Sequence, residues 1–290
     1  MATLRFAKLH GTANDFVYVD AREGFPGDPA RLAPQLCDRR RGIGADGLIL
    51  VERPTSGDAD CRMVIYNADG SRPEMCGNGI RGLAKFVHDH GLVHADPLRV
   101  ETDAGVKFVH AQVDRGRVVR VTVDMGVPVW DGRAIPVAAD GEVIDRPLEV
   151  AGRAWRVTCV SMGNPHCVVF VDEDPAALPL ADIGPRFEHH PFFPRRVNAE
   201  FVRVRSTSRL AMRVWERGSG ETMACGTGAC AAVVAGALTD RTNRRVLVHL
   251  RGGDLDIEWR ADDHVYMTGG AAEVFTADVD LTALYAATGM

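Results

Sequence analysis

The sequence has 290 residues, 46% of them hydrophobic and 25% charged, with a net charge of −5. This is the balance of an ordinary folded chain of one large or two typical domains. No stretch approaches the ~18 consecutive apolar residues of a membrane-spanning helix. The densest basic runs, Arg39-Arg40-Arg41 and Arg195-Arg196, lack the interleaved aromatics of a nucleic-acid groove. A small-molecule partner is therefore expected, with no nucleic acid and no membrane surface. Residues 1–8 lack the basic start and apolar core of a secretory signal, so a cytoplasmic location is expected. The cysteines, Cys37, Cys61, Cys76, Cys159, Cys167, Cys225 and Cys230, are odd in number and none is spaced C-x-x-C. Free thiols are expected rather than a disulfide framework, and no metal site.

In chain order, periodicity and turn residues predict a helix over 30–39 and strands over 47–52 and 62–66. A helix over 78–90 follows, then strands over 118–123, 158–161, 168–171, 200–204 and 210–215. A third helix over 227–238 and a strand over 246–250 complete the set. Many short strands with few helices, not in βαβ alternation, indicate an α+β fold built on mostly antiparallel sheet. The helix at 78–90 carries an apolar stripe of Ile80, Leu83, Ala84 and Val87, whereas 227–238 is apolar almost all round. The latter pattern fits a helix enclosed by sheet.

Two segments repeat. Met75-Cys76-Gly77-Asn78-Gly79 opens the second helix and Ala224-Cys225-Gly226-Thr227-Gly228 opens the third, the cysteines lying 149 positions apart. Asn67 precedes Cys76 by nine residues and Glu216 precedes Cys225 by nine, each at the end of a strand. Asn14 to Asp20 matches Asn164 to Asp172 at nearly the same period, with insertion in the second copy. The chain thus reads as two pseudo-symmetric domains, 1–127 and 128–270, with Met125-Gly126-Val127-Pro128 at the crossover. The segment 271–290 either completes the first domain's sheet or packs at a subunit contact.

Asn78 and Thr227 are good helix starters, and the flanking glycines allow the backbone to turn sharply and approach a ligand closely. Each cysteine then precedes a first helical turn, where unpaired N–H groups and the positive end of the peptide dipole gather. This location is expected to lower a thiol pKa from about 8.5 and to attract a carboxylate. If the two copies face each other, an amino acid's α-carboxylate can sit between two helix starts with one cysteine on each face of its α-carbon. N–H donors would stabilise the charge left by α-proton abstraction, and a base opposite an acid inverts the centre. The other five cysteines read as buried hydrophobes.

At these residues the sequence resembles diaminopimelate epimerases. The motifs run in family order: 8–16, 42–46, 66–71, 75–79, 163–166, 196–201, 215–218 and 224–228. The resemblance implies a cofactor-independent two-base epimerase that interconverts LL- and meso-diaminopimelate in lysine and cell-wall precursor biosynthesis. It also implies two similar domains, each a sheet wrapped around a central helix, and a homodimer. It implies Cys76 and Cys225 as the acid–base pair, with Asn14, Asn67, Asn164, Asn198, Glu216 and Arg217 as substrate contacts. Gly77, Asn78, Gly226 and Thr227 would supply donors to the α-carboxylate, with His166 lining the site. Two positions depart from the pattern: Gly47 stands where many members have Gln, and Thr12-Ala13 replaces the usual Leu-Gly. A proline-racemase-type enzyme, a non-catalytic amino-acid binder and a redox thiol protein are the competing readings. The first would leave Asn198, Glu216 and Arg217 surplus, and the last would want a resolving cysteine nearby.

Overall fold

Residues 16–19 and 48–51 are apolar on both faces of an extended chain, a pattern that places them inside the protein with cover on two sides. In the computed structural model, which describes residues 3–282 and 284, both runs are central strands covered on both faces. The described residues form two compact units: those up to Val123 together with those from Gly269, and Asp124–Thr268.

In chain order the first unit contains β1 (Thr3–Gly11), β2 (Asn14–Asp20), α1 (Pro29–Cys37), β3 (Gly47–Glu52), β4 (Cys61–Asn67), α2 (Gly77–Asp89), β5 (Leu98–Thr102), β6 (Gly105–Asp114) and β7 (Arg117–Asp124). The second contains β8 (Arg146–Val150), β9 (Arg153–Ser161), β10 (Pro165–Phe170), α3 (Leu180–Glu188), β11 (Asn198–Ser206), β12 (Arg209–Glu216), the short β13 (Gly220–Glu221), α4 (Gly226–Leu238), β14 (Arg245–Leu250), β15 (Gly253–Trp259) and β16 (Val265–Gly269). The chain then returns to the first unit as β17 (Ala272–Asp280), antiparallel to β1. Up to Asp280 the segment after Gly270 is thus part of that sheet; residues 283 and 285–290 lie outside the described residues.

The two sheets have one topology. The first runs β17-β1-β2-β3-β4-β5-β6-β7 and the second β8-β9-β10-β11-β12-β14-β15-β16. In both, the third and fourth strands are parallel, as are the fifth and sixth, and all other neighbours are antiparallel. One helix in each unit touches strands from both parts of its sheet: α2 contacts β17, β1, β2, β3 and β6, and α4 contacts β9, β10, β11, β14 and β15. A single helix can do so only if the sheet curls around it. The other helix of each unit, α1 or α3, packs on the outside. The strand that opens the second unit, β8, has its place in the first filled by β17.

Composition explains the difference between the two enclosed helices. The Ala and Val side chains of α4 leave no polar group to satisfy. In contrast, α2 buries two cations. Arg81 donates to Gly77 O, Asn78 Oδ1 and Thr12 Oγ1 at 3.2, 2.9 and 3.2 Å, and Lys85 to Asp89 and Val118 O at 2.7 and 2.8 Å. Buried charges persist only when partnered in this way.

Helix α1 stops at Cys37, short of the expected residue 39, because the Asp38 carboxylate accepts from the N–H groups of Arg40 and Arg41 and turns the chain. Helix α3 was not expected. It is short, holds Pro185 inside and has no side-chain cap, so its local signal is weak. It forms by burying Leu180 and Phe187 against the second unit's core. Strands β1, β2, β5, β6, β8, β13, β15, β16 and β17 were likewise not expected; apart from the apolar β2 and the two-residue β13, their outer faces carry charged and polar residues that interrupt apolar runs.

Close approach of strand to helix makes one glycine decisive. A Cβ on Gly82 of α2 would lie 2.1 Å from the Tyr18 hydroxyl, which itself donates to Gly79 O at 2.9 Å. Gly82→Ala is expected to destabilise the protein by about 1–3 kcal/mol through overpacking, despite the roughly 1 kcal/mol that alanine gains in helix propensity. Urea denaturation of both proteins checks this; an unchanged or higher midpoint would refute the packing argument.

Candidate active site

The two enclosed helices begin in the same way. Cys76 is the N-cap of α2, with extended backbone (φ −138°, ψ 118°), and its Sγ accepts the Gly79 N–H at 3.4 Å. Cys225 is the N-cap of α4 (φ −121°, ψ 114°), and its Sγ accepts the Gly228 N–H at 3.4 Å. A sulfur thus takes the role usually held by a Ser, Thr or Asp oxygen. The next N–H groups, those of Gly77 and Asn78 or of Gly226 and Thr227, belong to a first helical turn and have no partner within the helix ladder. The glycines are required by space as well: a Cβ on Gly79 would lie 2.7 Å from Ile49 Cδ1, and one on Gly228 would lie 2.7 Å from Glu200 Oε1.

In the first unit, Cys76 is joined by Asn14 and Asn78. Asn14 Oδ1 accepts from Asn78 Nδ2 at 3.2 Å and faces Cys76 Sγ at 3.8 Å, while its Nδ2 donates to Asp46 at 2.7 Å. Asn78 is buried and its Oδ1 accepts from Arg81. Asn67, at the end of β4, donates to Ser71 Oγ at 2.9 Å. Gly47 pairs with Asn67 across the ladder, and a Cβ built there would lie 2.5 Å from Tyr66 O.

In the second unit, Cys225 Sγ lies 3.5 Å from Thr227 Oγ1. His166 is fully buried between Glu200 (Nδ1 to Oε1, 2.7 Å) and Asn164 (Nε2 to Oδ1, 2.8 Å). Asn198 donates to Pro165 O at 2.9 Å and accepts the Arg217 backbone N–H at 2.9 Å, so it ties β10 to the turn after β12. The Glu216 carboxylate is hydrogen-bonded by the Thr222 hydroxyl. Arg217 is exposed, and its guanidinium reaches Arg195 O at 3.4 Å. Asn14 thus faces Cys76, and Thr227 and Glu216 lie beside Cys225, whereas the contacts of Asn67, Asn198 and Arg217 are with other residues. The residues that orient Asn14, Asn78, His166 and Glu216 (Asp46, Arg81, Glu200 and Thr222) were not singled out from sequence. For Asp46, Arg81 and Glu200 the signal was a charged residue whose two neighbours are apolar or glycine; Thr222, beside Glu221, carried no such signal.

One expectation is corrected. The helix start was expected to lower the thiol pKa, but burial pushes the Cys225 thiol well above its ordinary value, and the carboxylates of Glu216 and Glu200 add to the effect. The Thr227 and Gly228 hydrogen bonds oppose the shift without reversing it. Burial also raises the Glu216 carboxyl, against the hydrogen bonds from Thr222 and Cys225.

Solved structures define the class by fold. A probable proline racemase from Agrobacterium radiobacter superposes with a TM-score of 0.70, at 15% identity, covering 96% of this chain and 93% of that one. The two chains share a fold, at an identity that speaks for fold alone. The sequence comparisons go further. The profile of the family described as diaminopimelate epimerase matches residues 6–130 and 158–274. The diaminopimelate epimerase of Moorella thermoacetica is 57% identical over 96% of this chain and 100% of its own length, and that of Agathobacter rectalis 52% identical over 96% and 100%. The chain belongs to the diaminopimelate epimerase family, and with it to the isomerases.

A thiol held protonated reacts slowly with electrophiles, because the thiolate is the nucleophile. Alkylation of Cys225 by iodoacetamide, followed by mass spectrometry, is expected to be slow at pH 7 and to accelerate only above pH 8.5, the ordinary thiol value of about 8.5 being exceeded. A midpoint at or below that value would contradict the shielding described.

Proposed function

We propose that this chain interconverts LL- and meso-diaminopimelate without a cofactor, with Cys76 and Cys225 as the two acid–base groups. The observation that carries the reading is the pair of sulfur N-caps, one at the start of each enclosed helix, in equivalent positions of a duplicated topology. The names of the relatives supply the substrate.

Removing the α-proton of an amino acid leaves negative charge that spreads onto the α-carboxylate. The first-turn N–H groups of Gly77 and Asn78 and of Gly226 and Thr227 are donors of the kind that stabilise such charge. Inversion requires one thiolate to take the proton and one thiol to return a proton to the opposite face. The two clusters differ electrostatically in a way that suits this division. Arg81 places a buried positive charge beside Asn78 at the start of α2, whereas Glu200 and Glu216 place carboxylates beside Cys225. Cys76 thus enters as base and Cys225 as acid, and the roles exchange in the reverse direction. Asn14, Asn67, Asn164, Asn198, Glu216 and Arg217 bind the substrate, Arg217 as a bidentate donor to a carboxylate, and His166 lines the site. We place the enzyme in the cytoplasm, as a homodimer, in the synthesis of lysine and cell-wall precursors.

The test is solvent deuterium incorporation at the α-carbon of LL-diaminopimelate in D2O. Wild type is expected to exchange and epimerise together. Cys76→Ala and Cys225→Ala are each expected to lose on the order of 10²–10⁴-fold in rate, the range for removing a general acid or base. Undiminished exchange in both variants would refute the assignment.

A further inference from the structure

Strand β12 ends at Glu216, and the chain turns through Arg217, Gly218 and Ser219 before β13 pairs back onto it. In the first unit the matching turn, after β4, closes on itself: Asn67 donates to Ser71 Oγ at 2.9 Å, and the Asp69 carboxylate accepts the Ser71 N–H at 2.8 Å. The second unit's turn is moored from outside. The Ser219 N–H stays within it, donating to Glu216 O at 3.1 Å. The two N–H groups before it leave: that of Arg217 goes to Asn198 Oδ1 on β11 and that of Gly218 to Glu188 Oε1 on α3, both at 2.9 Å.

Glu188 is buried, which a carboxylate tolerates only when it is partnered. Its second oxygen, Oε2, accepts the Trp215 indole N–H at 2.8 Å, and Arg196 Nη1 brings a positive charge to 3.5 Å from Oε1. An indole N–H and a backbone N–H can only donate, so both oxygens must accept; an amide of the same shape turns an NH2 group on one of them. Helix α3 comes close enough for this through Gly184, one turn before Glu188, where a Cβ would lie 2.4 Å from Trp215 Cδ2. Arg217 lies between the segments so fixed. Its exposed guanidinium reaches Arg195 O at 3.4 Å, and the next residue, Arg196, stands in the left-handed region at φ +59° with its side chain on Glu188. Segments 195–196 and 216–218 thus share one anchor.

We propose that Glu188 is a positioning residue that fixes where Arg217 points, and through it how tightly one carboxylate of diaminopimelate is held. The α-carboxylate at the reacting carbon is assigned above to first-turn N–H groups, which leaves Arg217 the second carboxylate. That group keeps its charge throughout the reaction, so its grip counts equally in the ground and transition states and enters KM rather than kcat. Helix α3, which touches none of the residues proposed to move a proton, acquires a use: it carries the anchor of the substrate-gripping turn.

The role of Glu188 rests on the reading of Arg217 as a substrate contact, and the test separates the two. Glu188→Gln is expected to raise KM for diaminopimelate about 10-fold, the order of one hydrogen bond to a charged group, with a much smaller change in kcat. Arg217→Ala is expected to raise KM further, and adding Glu188→Gln to it to cost nothing more, because the anchor then has nothing left to position. Hydrogen exchange followed by NMR is expected to show the Gly218 amide and the Trp215 indole N–H protected in wild type, and one or both faster in Glu188→Gln. An unchanged KM in Glu188→Gln beside a raised KM in Arg217→Ala would overturn the proposal, as would additive losses in the double variant. Rapid exchange of both protons in wild type would overturn it as well, a result that needs no variant to fold. An unchanged KM in Arg217→Ala would instead remove Arg217 from the substrate contacts, and the role of Glu188 with it.

Discussion

A helix enclosed by its own sheet is satisfied along its length and unsatisfied at its ends, and the rest of this structure follows from how the N-terminal end is closed. The curled sheets bury α2 and α4 so fully that neither can solvate its first turn along the sides. In both units a cysteine sulfur accepts the third N–H, and two glycines keep the turn narrow enough for it to do so. The fold thereby fixes both a soft, titratable atom and a set of backbone donors in one place. The donors are a consequence of helix geometry, and the thiol is what the sequence places beside them.

The duplication is close in backbone and divergent in charge. Both helices start alike, yet one has a guanidinium beneath it and the other two carboxylates beside it. A reaction that inverts a centre is served by this difference, because identical groups in identical surroundings would carry the same protonation. The asymmetry lies in Arg81, Asp46 and Glu200, each of which is hydrogen-bonded to an asparagine either directly or through a histidine, one layer behind the residues we propose as substrate contacts.

Much of this was legible in the sequence, for identifiable reasons. The two Cys-Gly-x-Gly segments, the spacing of Asn67 and Glu216 before them and the contrast between an amphipathic and a uniformly apolar helix survive as local patterns. The enclosed helices accordingly fall where expected, at Gly77–Asp89 and Gly226–Leu238. Helix α3 was illegible because tertiary burial, not propensity or capping, holds it. The edge strands were illegible because one face is charged, as in β17, where Glu273, Asp278 and Asp280 punctuate the apolar residues. The upward shift of the Cys225 thiol was misread because burial is its main cause and carboxylate neighbours on strands β11 and β12 add to it, and neither tertiary burial nor adjacency across a ladder is visible in a linear string.

The exchange of β17 for β8 has a consequence for biogenesis. The second unit is contiguous and can close its sheet from its own residues in the order in which they emerge. The first unit cannot: Thr3 pairs with Asp280, so its outermost ladder joins segments that lie on either side of the second unit in the sequence. Loop closure over such a span is slow relative to local pairing. The first-made strands must therefore wait, with the edge of β1 uncovered, until the second unit has been synthesised. A polypeptide stalled before Ala272 would carry a finished second unit and an open first one, with an unpaired strand edge available to chaperones or to other nascent chains.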